Sequence, residues 1–165
     1  MRKKYLTTSP LQTKKIGEIL GKEILKTKFK KALKESKFPI GQALVIGLEG
    51  DLAGGKTTFL QGFAKGLGIK EKILSPTFII MRKFEIRNSK FETNSKFQTF
   101  YHIDCYRIEK PKKILDLGFK EIISNPQNIV AVEWAEKVKK ILPKNTIWIK
   151  FQFIDKNTRK IIIKE

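Results

Sequence analysis

A three-layer α/β fold, with a mainly parallel central sheet extended by antiparallel strands, is predicted by three features of this 165-residue chain. Short apolar runs alternate with amphipathic stretches of helical length, the order that parallel strands with crossover helices require. The runs at 43–49 and 128–133 are apolar almost throughout, as in strands covered on both faces. Residues 146–164 instead alternate apolar and polar positions around a polar turn, which signals a hairpin. No internal repeat or low-complexity linker divides the chain, so residues 1–165 are expected to form a single domain.

In chain order, Ser9-Pro10 opens the first predicted helix. Ser supplies a capping oxygen, and Pro suits the first turn. Leu11, Ile16, Ile19, Leu20, Ile24, Leu25 and Leu33 then recur at spacings of three and four within 11–35. Lys34 to Phe38 and Pro39 connect to a buried strand over Ala43 to Glu49. After a Gly-rich turn, Thr57 to Leu67 reads as a helix ending at Gly66 or Gly68. Thr77 to Ile86 and Phe97 to Asp104 read as strands joined by a polar loop, Arg87 to Lys96. Lys112 to Ser124 is a predicted helix that Gly118 disfavours. Asn128 to Glu133 is a strand, and Trp134 to Leu142 continues as a helix or a loop of helical character. Thr146 to Ile154 and Arg159 to Lys164 close the chain as a hairpin around Asp155 to Thr158.

Composition narrows the function. Charged residues make up 31% and hydrophobic ones 41%, the balance of a folded chain. No apolar run approaches the roughly 20 residues that span a bilayer. The basic N-terminus lacks the apolar stretch of a secretory signal. Cys105 is the single cysteine, so neither an internal disulfide nor a cysteine metal cluster is expected, and a cytoplasmic location follows. The net charge of +19 fits a surface that meets a polyanion such as RNA. It also fits a compositional preference for lysine, because only positions 2, 82, 87, 107 and 159 are Arg among the 35 basic residues. Surfaces built for bidentate phosphate contacts use more Arg. The charge is therefore compatible with RNA contact without establishing it.

Gly50-Asp51-Leu52-Ala53-Gly54-Gly55-Lys56-Thr57 satisfies G-x-x-x-x-G-K-[ST], with an apolar strand before it and a helix after it. The fold expected is therefore of the P-loop NTPase type. Glycines let successive N–H groups converge on phosphate oxygens, and the helix start adds its positive dipole end. Lys56 is expected to reach the β- and γ-phosphates of ATP, Thr57 to bind Mg²⁺, and Thr58 to add a hydroxyl. Such a site needs an acid on a neighbouring strand. Glu133, at the end of an apolar strand, is the first candidate, and Asp104, at the end of His102-Ile103-Asp104, is the second. Either could instead be an ordinary strand-end acid capping a turn. His102 is read as structural or supporting, without proton transfer. Ser75-Pro76-Thr77-Phe78 either senses the γ-phosphate or is a plain turn into a strand.

Taken together these segments resemble the bacterial TsaE (YjeE) ATPases of tRNA threonylcarbamoyladenosine synthesis. The resemblance is carried by Gly50-Asp51-Leu52, Gly55-Lys56-Thr57-Thr58-Phe59, Gly66-Leu67-Gly68, Ser75-Pro76-Thr77-Phe78, His102-Ile103-Asp104-Cys105-Tyr106-Arg107 and Glu133-Trp134, over positions 9 to 160. It implies an ATPase working with TsaD and TsaB subunits and meeting tRNA indirectly or weakly. Because the chain offers no obvious arginine finger near the P-loop, with Arg107 left as a candidate, hydrolysis is expected to be slow alone and stimulated by partners. It implies that Thr57 and Glu133 bind Mg²⁺ and that Gly54 to Thr58 hold phosphates, with Asp51, Leu52 and Ala53 in the same loop. Asp104 would orient water or metal, Thr77 would belong to a switch segment, and Trp134 would pack beside the site. Adenine contacts would come from near Pro10 and from Thr158 or Arg159. Three departures stand out. Ala53-Gly54-Gly55-Lys56 replaces the usual Gly-Ala-Gly-Lys, so Ala53 restricts any positive φ needed there. Ala135 follows Glu-Trp in place of Pro, and Arg82 to Phe100 is long. A small-molecule kinase is disfavoured by the scarcity of Arg for a lid, and a GTPase by the absence of Asn-Lys-x-Asp. A basic RNA-binding module with vestigial nucleotide binding is the rival from another class.

Overall fold

The computed structural model describes residues 2–26, 41–75, 79–86 and 97–164. The expected connector at 34–39, the loop at 87–96 and Thr77 with its neighbours Pro76 and Phe78 lie outside those residues.

One seven-stranded sheet runs in the order β1-β7-β6-β2-β5-β4-β3. Its centre is parallel. β2 (Leu44–Gly50) lies between β5 (Asn128–Glu133) and β6 (Ile147–Phe153), and β4 (Thr99–Asp104) follows beside β5. The antiparallel strands are β3 (Met81–Glu85) against β4, β7 (Arg159–Lys164) against β6, and β1 (Arg2–Thr7) against β7. All six residues of β5 are buried, as are the first five of β2, which explains their unbroken apolar character.

Two helices cover one face. α1 (Pro10–Leu25) begins with Pro10 after Ser9, whose hydroxyl accepts from the Gln12 N–H as expected. α2 (Lys56–Gly66) follows the Gly-rich turn. Their contact is unusually close: a Cβ at Gly62 would lie 1.8 Å from the Lys14 carbonyl, and one at Gly17 would lie 2.1 Å from that of Phe59. Only glycine lets the two backbones approach this far, and that approach brings the start of α1 beside the start of α2. Beneath them sits a core that includes Ile46, Leu48, Phe59, Phe63, Phe100, Ile129, Ala131 and Phe151.

The opposite face packs Val45, Ile103, Val130 and Val132 against α3 (Lys112–Leu115), α4 (Phe119–Ser124) and a 3-10 helix (Ala135–Ile141). Three layers result. The single helix expected over Lys112 to Ser124 is two: Gly118 takes a φ of 78° and breaks it, a conformation an α-helix cannot continue through. The strand expected from Thr77 is assigned only from Met81. β1 was not expected at all.

Candidate functional site

Strand alternation decides which acids can meet the Gly-rich loop. Phe100, His102 and Asp104 share one face of β4, and Ile129, Ala131 and Glu133 share the same face of β5. The parallel register sets Asp104 opposite Glu133 and Leu48 opposite Glu133, so both acids emerge where β2 ends and the loop begins. Of the two candidates, Glu133 touches the loop's helix. The Thr57 hydroxyl donates to its carboxylate at 2.9 Å and 3.1 Å.

Asp104 lines the same cleft but is held differently. Its Oδ2 accepts from the Ser75 hydroxyl at 2.5 Å, and its Oδ1 accepts from the Tyr106 N–H at 2.8 Å, the geometry of a turn cap. The sequence therefore located the acid but not its ties to Ser75 and Tyr106. His102, buried beneath both acids, has Nε2 2.7 Å from Glu133 Oε1. A carboxylate can only accept here, so Nε2 carries the hydrogen, an assignment made from the hydrogen-bond pattern. Nδ1 has no partner among the described residues.

The loop itself is shaped by three positive φ values. Gly50 (119°) and Gly55 (97°) use glycine's freedom, and a Cβ at Gly50 would also sit 2.0 Å from the Phe151 carbonyl. Ala53 takes 58°, so the restriction read from the sequence is one the fold overrides, at a typical cost of about 1–2 kcal/mol. Gly54 N–H donates to the Asp51 carbonyl, while the Asp51 side chain accepts from Phe153 N–H of β6 at 3.1 Å. No side chain caps the start of α2. The N–H groups of its first turn have no carbonyl one turn back, so they face outward as donors.

The Lys56 ammonium is buried among these groups. It donates to the carbonyls of Gly50 and Asp51, each at 2.7 Å, and lies 3.9 Å from the centre of the Trp134 ring. Burial lowers its pKa from the ordinary lysine value, opposed by the nearby carboxylates of Glu133, Glu136, Asp51 and Asp104. Trp134 reaches Lys56 because it too has a positive φ, 57°, which turns the chain sharply out of β5. Backbone strain of this kind at a non-glycine residue concentrates at functional sites. Tyr106 packs against Trp134 with ring centres 5.1 Å apart and the two planes tilted by 47°.

A cleft of about 500 Å³ runs over this arrangement, lined by Leu52 to Thr58, Ser75, Asp104, Tyr106, Glu133 and Trp134. On the other side of the loop a smaller cavity of about 70 Å³ joins Ser9, Pro10, Thr13, Ala53, Gly55, Thr58, Lys156, Asn157 and Arg159. Arg159 holds that wall by donating from Nε to the Ala53 carbonyl at 2.8 Å and stacking on Phe153. Pro10 and Arg159, far apart in sequence, thus share one wall. Thr77 lies outside the described residues; the other expected site residues gather around the loop. The donor set fits a phosphate-bearing ligand and a hard divalent cation. Outward N–H groups and an ammonium face the cleft, and a hydroxyl and a carboxylate meet at its floor.

The family described as "Threonylcarbamoyl adenosine biosynthesis protein TsaE" matches residues 7–161. A Treponema pallidum protein named tRNA threonylcarbamoyladenosine biosynthesis protein TsaE is 34% identical over 119 residues, 72% of this chain and 80% of that one. Its Bacillus subtilis namesake is 40% identical over 64% of this chain and 59% of its own length. The one from Nostoc is 40% identical over 68% of this chain and 70% of its own. The crystal structure of Bacillus subtilis YdiB superposes with a TM-score of 0.65 at 26% identity, covering 99% of this chain and 84% of that one. On the match over 7–161 and on these relatives, the chain belongs to the TsaE family.

Proposed function

We propose that this protein is a Mg²⁺-dependent ATPase that supports a TsaB–TsaD complex in forming N6-threonylcarbamoyladenosine at position 37 of tRNA. The observation that carries the reading is the meeting of the Thr57 hydroxyl with the Glu133 carboxylate, directly beside an uncapped helix start. Gly54 to Thr58, through the N–H groups of Gly55 to Thr58, and the Lys56 ammonium would hold the phosphates of ATP, while the Gly54 N–H stays on the Asp51 carbonyl. Thr57 and Glu133 would hold Mg²⁺. When bound, that ion neutralises charge on the phosphate oxygens.

Lys56 has to exchange the Gly50 and Asp51 carbonyls for phosphate oxygens, and the ring of Trp134 shields it from water meanwhile. Asp104 is placed to orient a hydrolytic water or the metal, steadied by Ser75 and the Tyr106 N–H. Pro10 and Arg159 would border the adenine, and Thr77 would sense the γ-phosphate. Among the described residues lining the cleft there is no arginine, so charge developing on the transferred phosphoryl meets the Lys56 ammonium but no arginine finger there. Slow turnover alone and stimulation by partner subunits follow. Among the described residues no helix is long and apolar enough to cross a membrane, and the proposed site of action is the cytoplasm.

The test is steady-state ATP turnover with and without the partner subunits, for the unaltered chain and Glu133→Ala. Turnover that survives Glu133→Ala would remove the metal role. Restoration of the adenosine 37 modification in cells lacking their own copy checks the pathway assignment.

A further inference from the structure

The antiparallel half of the sheet has a second face that the site does not use. Residues two apart on a strand point to the same side, and the registers of β1, β7 and β6 align such residues in cross-strand rows. One set of alternate residues, including Ile161, Ile163, Ile149 and Phe151, enters the core under α1 and α2. The other set carries Lys164 opposite Trp148, then Lys4 and Lys150 on either side of Ile162, then Lys160 one row on.

Ile162 is only 3% exposed yet belongs to neither hydrophobic layer of the protein. Its cross-strand neighbours are the two lysines, whose methylene stems can cover it while the ammonium groups stay in water. Lys4 and Lys164 are exposed, and Lys150 and Lys160 are half-buried. No acidic residue occurs in β1, β6 or β7. Among the described residues no carboxylate pairs with any of the four ammonium groups. Lys139 adds another cation at the edge, 5.5 Å from the centre of the Trp148 ring.

In the parallel register Glu49 of β2 stands opposite Lys150, but Lys4, Lys160 and Lys164 have no acidic cross-strand neighbour, and like charges on adjacent strands repel one another unless an anion with several charges covers them. We infer that this face of β1, β7 and β6 binds the sugar-phosphate backbone of RNA, without reading its sequence. Lysine acts as a point charge toward phosphate, and backbone contacts position a nucleic acid without specifying bases. The inference rests on the tRNA-modification role proposed above for its choice of polyanion. It places the RNA contact away from the ATP cleft, on residues that take no part in nucleotide binding.

The experiment compares two quadruple variants of the full chain. One is Lys4→Gln, Lys150→Gln, Lys160→Gln and Lys164→Gln. The other removes four exposed lysines elsewhere: Lys70→Gln, Lys72→Gln, Lys112→Gln and Lys120→Gln. Binding to an unmodified tRNA transcript is followed by fluorescence anisotropy over a range of salt, without nucleotide. The sheet-face variant should bind at least about tenfold more weakly, and its slope of log K against log salt should flatten by about 3, since each phosphate contact contributes about 0.7–0.9. The control should shift by no more than about twofold. Equal losses in both variants would mean that lysine composition alone drives binding, and would overturn the proposal. Unchanged RNA binding with lost capture of the TsaB–TsaD complex would also overturn it, assigning the face to an acidic protein surface. ATP affinity, measured separately on the same variants, should be unchanged. A defect there would concern the nucleotide site, leaving the two readings distinguishable.

Discussion

His102 Nε2 lies 2.7 Å from Glu133 Oε1, and both side chains are almost wholly withdrawn from water. The imidazole stacks on Phe100 from the same strand face, so the donor direction is fixed by packing. The carboxylate that meets Thr57 is thereby aimed from behind.

His102→Phe should leave the Glu133 carboxylate buried without this donor. Affinity for Mn²⁺, read by electron paramagnetic resonance as a stand-in for Mg²⁺, should fall about tenfold, as for other supporting partners of metal ligands. His102→Gln keeps an N–H donor and should retain more of it. Equal metal affinity in all three proteins would show that the pair is only structural.

Lys56→Ala should weaken ATP binding by about 10- to 100-fold, the range of a lost charge-assisted contact. Calorimetric titration reads it directly. Stability should move the other way for Lys56→Met. Burial lowers the Lys56 pKa below its ordinary 10.5, so the unfolded chain binds the proton more tightly than the folded one. That difference opposes folding at neutral pH and fades as pH rises toward the ordinary value. The advantage of Lys56→Met in urea unfolding should therefore be larger at pH 7 than at pH 10, and a pH-independent difference would contradict it.

Ala53→Gly should stabilise the ligand-free protein by about 0.5 kcal/mol. Relief of the 58° φ, about 1–2 kcal/mol, is partly cancelled by glycine's greater freedom in the unfolded chain. Gly50→Ala should do the reverse by at least about 2 kcal/mol, because its Cβ meets the Phe151 carbonyl at a φ of 119°. Thermal unfolding of both variants checks the pair.

Cys105 should resist thiol reagents in the folded protein at pH 8. Burial first, and Asp104 next, push its pKa up to about 12, so almost no thiolate is present. Labelling should become rapid only in denaturant. The unfolded thiol ionises near its ordinary 9.0, so this residue's contribution to stability falls as pH climbs above that value. Rapid native-state labelling would mean that the segment around Cys105 opens readily.

Much of the site was legible because its chemistry is local. The Gly50 to Thr57 spacing, the Ser9-Pro10 helix start and the apolar run into Glu133 each depend on neighbours within a few residues. The long-range parts were not. β1 shows no clear alternation and exists by pairing with β7 at the far end of the chain. Nothing in the residues around Gly17 and Gly62 marks the contact between helix backbones that both make possible. Ser75, Tyr106 and Thr13 joined the clefts through folding, although Ser75 and Tyr106 lie in segments already singled out.

The sequence by itself determined the Gly50 to Thr57 loop motif, the order of most strands and helices, and two candidate acids, since capping, periodicity and turn chemistry act over short separations. Only the tertiary structure decided that Glu133 takes the Thr57 hydroxyl while Asp104 takes Ser75 and Tyr106. It also decided that His102 stands behind Glu133 and that Lys4, Lys150, Lys160 and Lys164 share one face of the sheet. The reason is register: a shift of one residue between strands turns every side chain to the other face, and register is set by packing of the whole sheet.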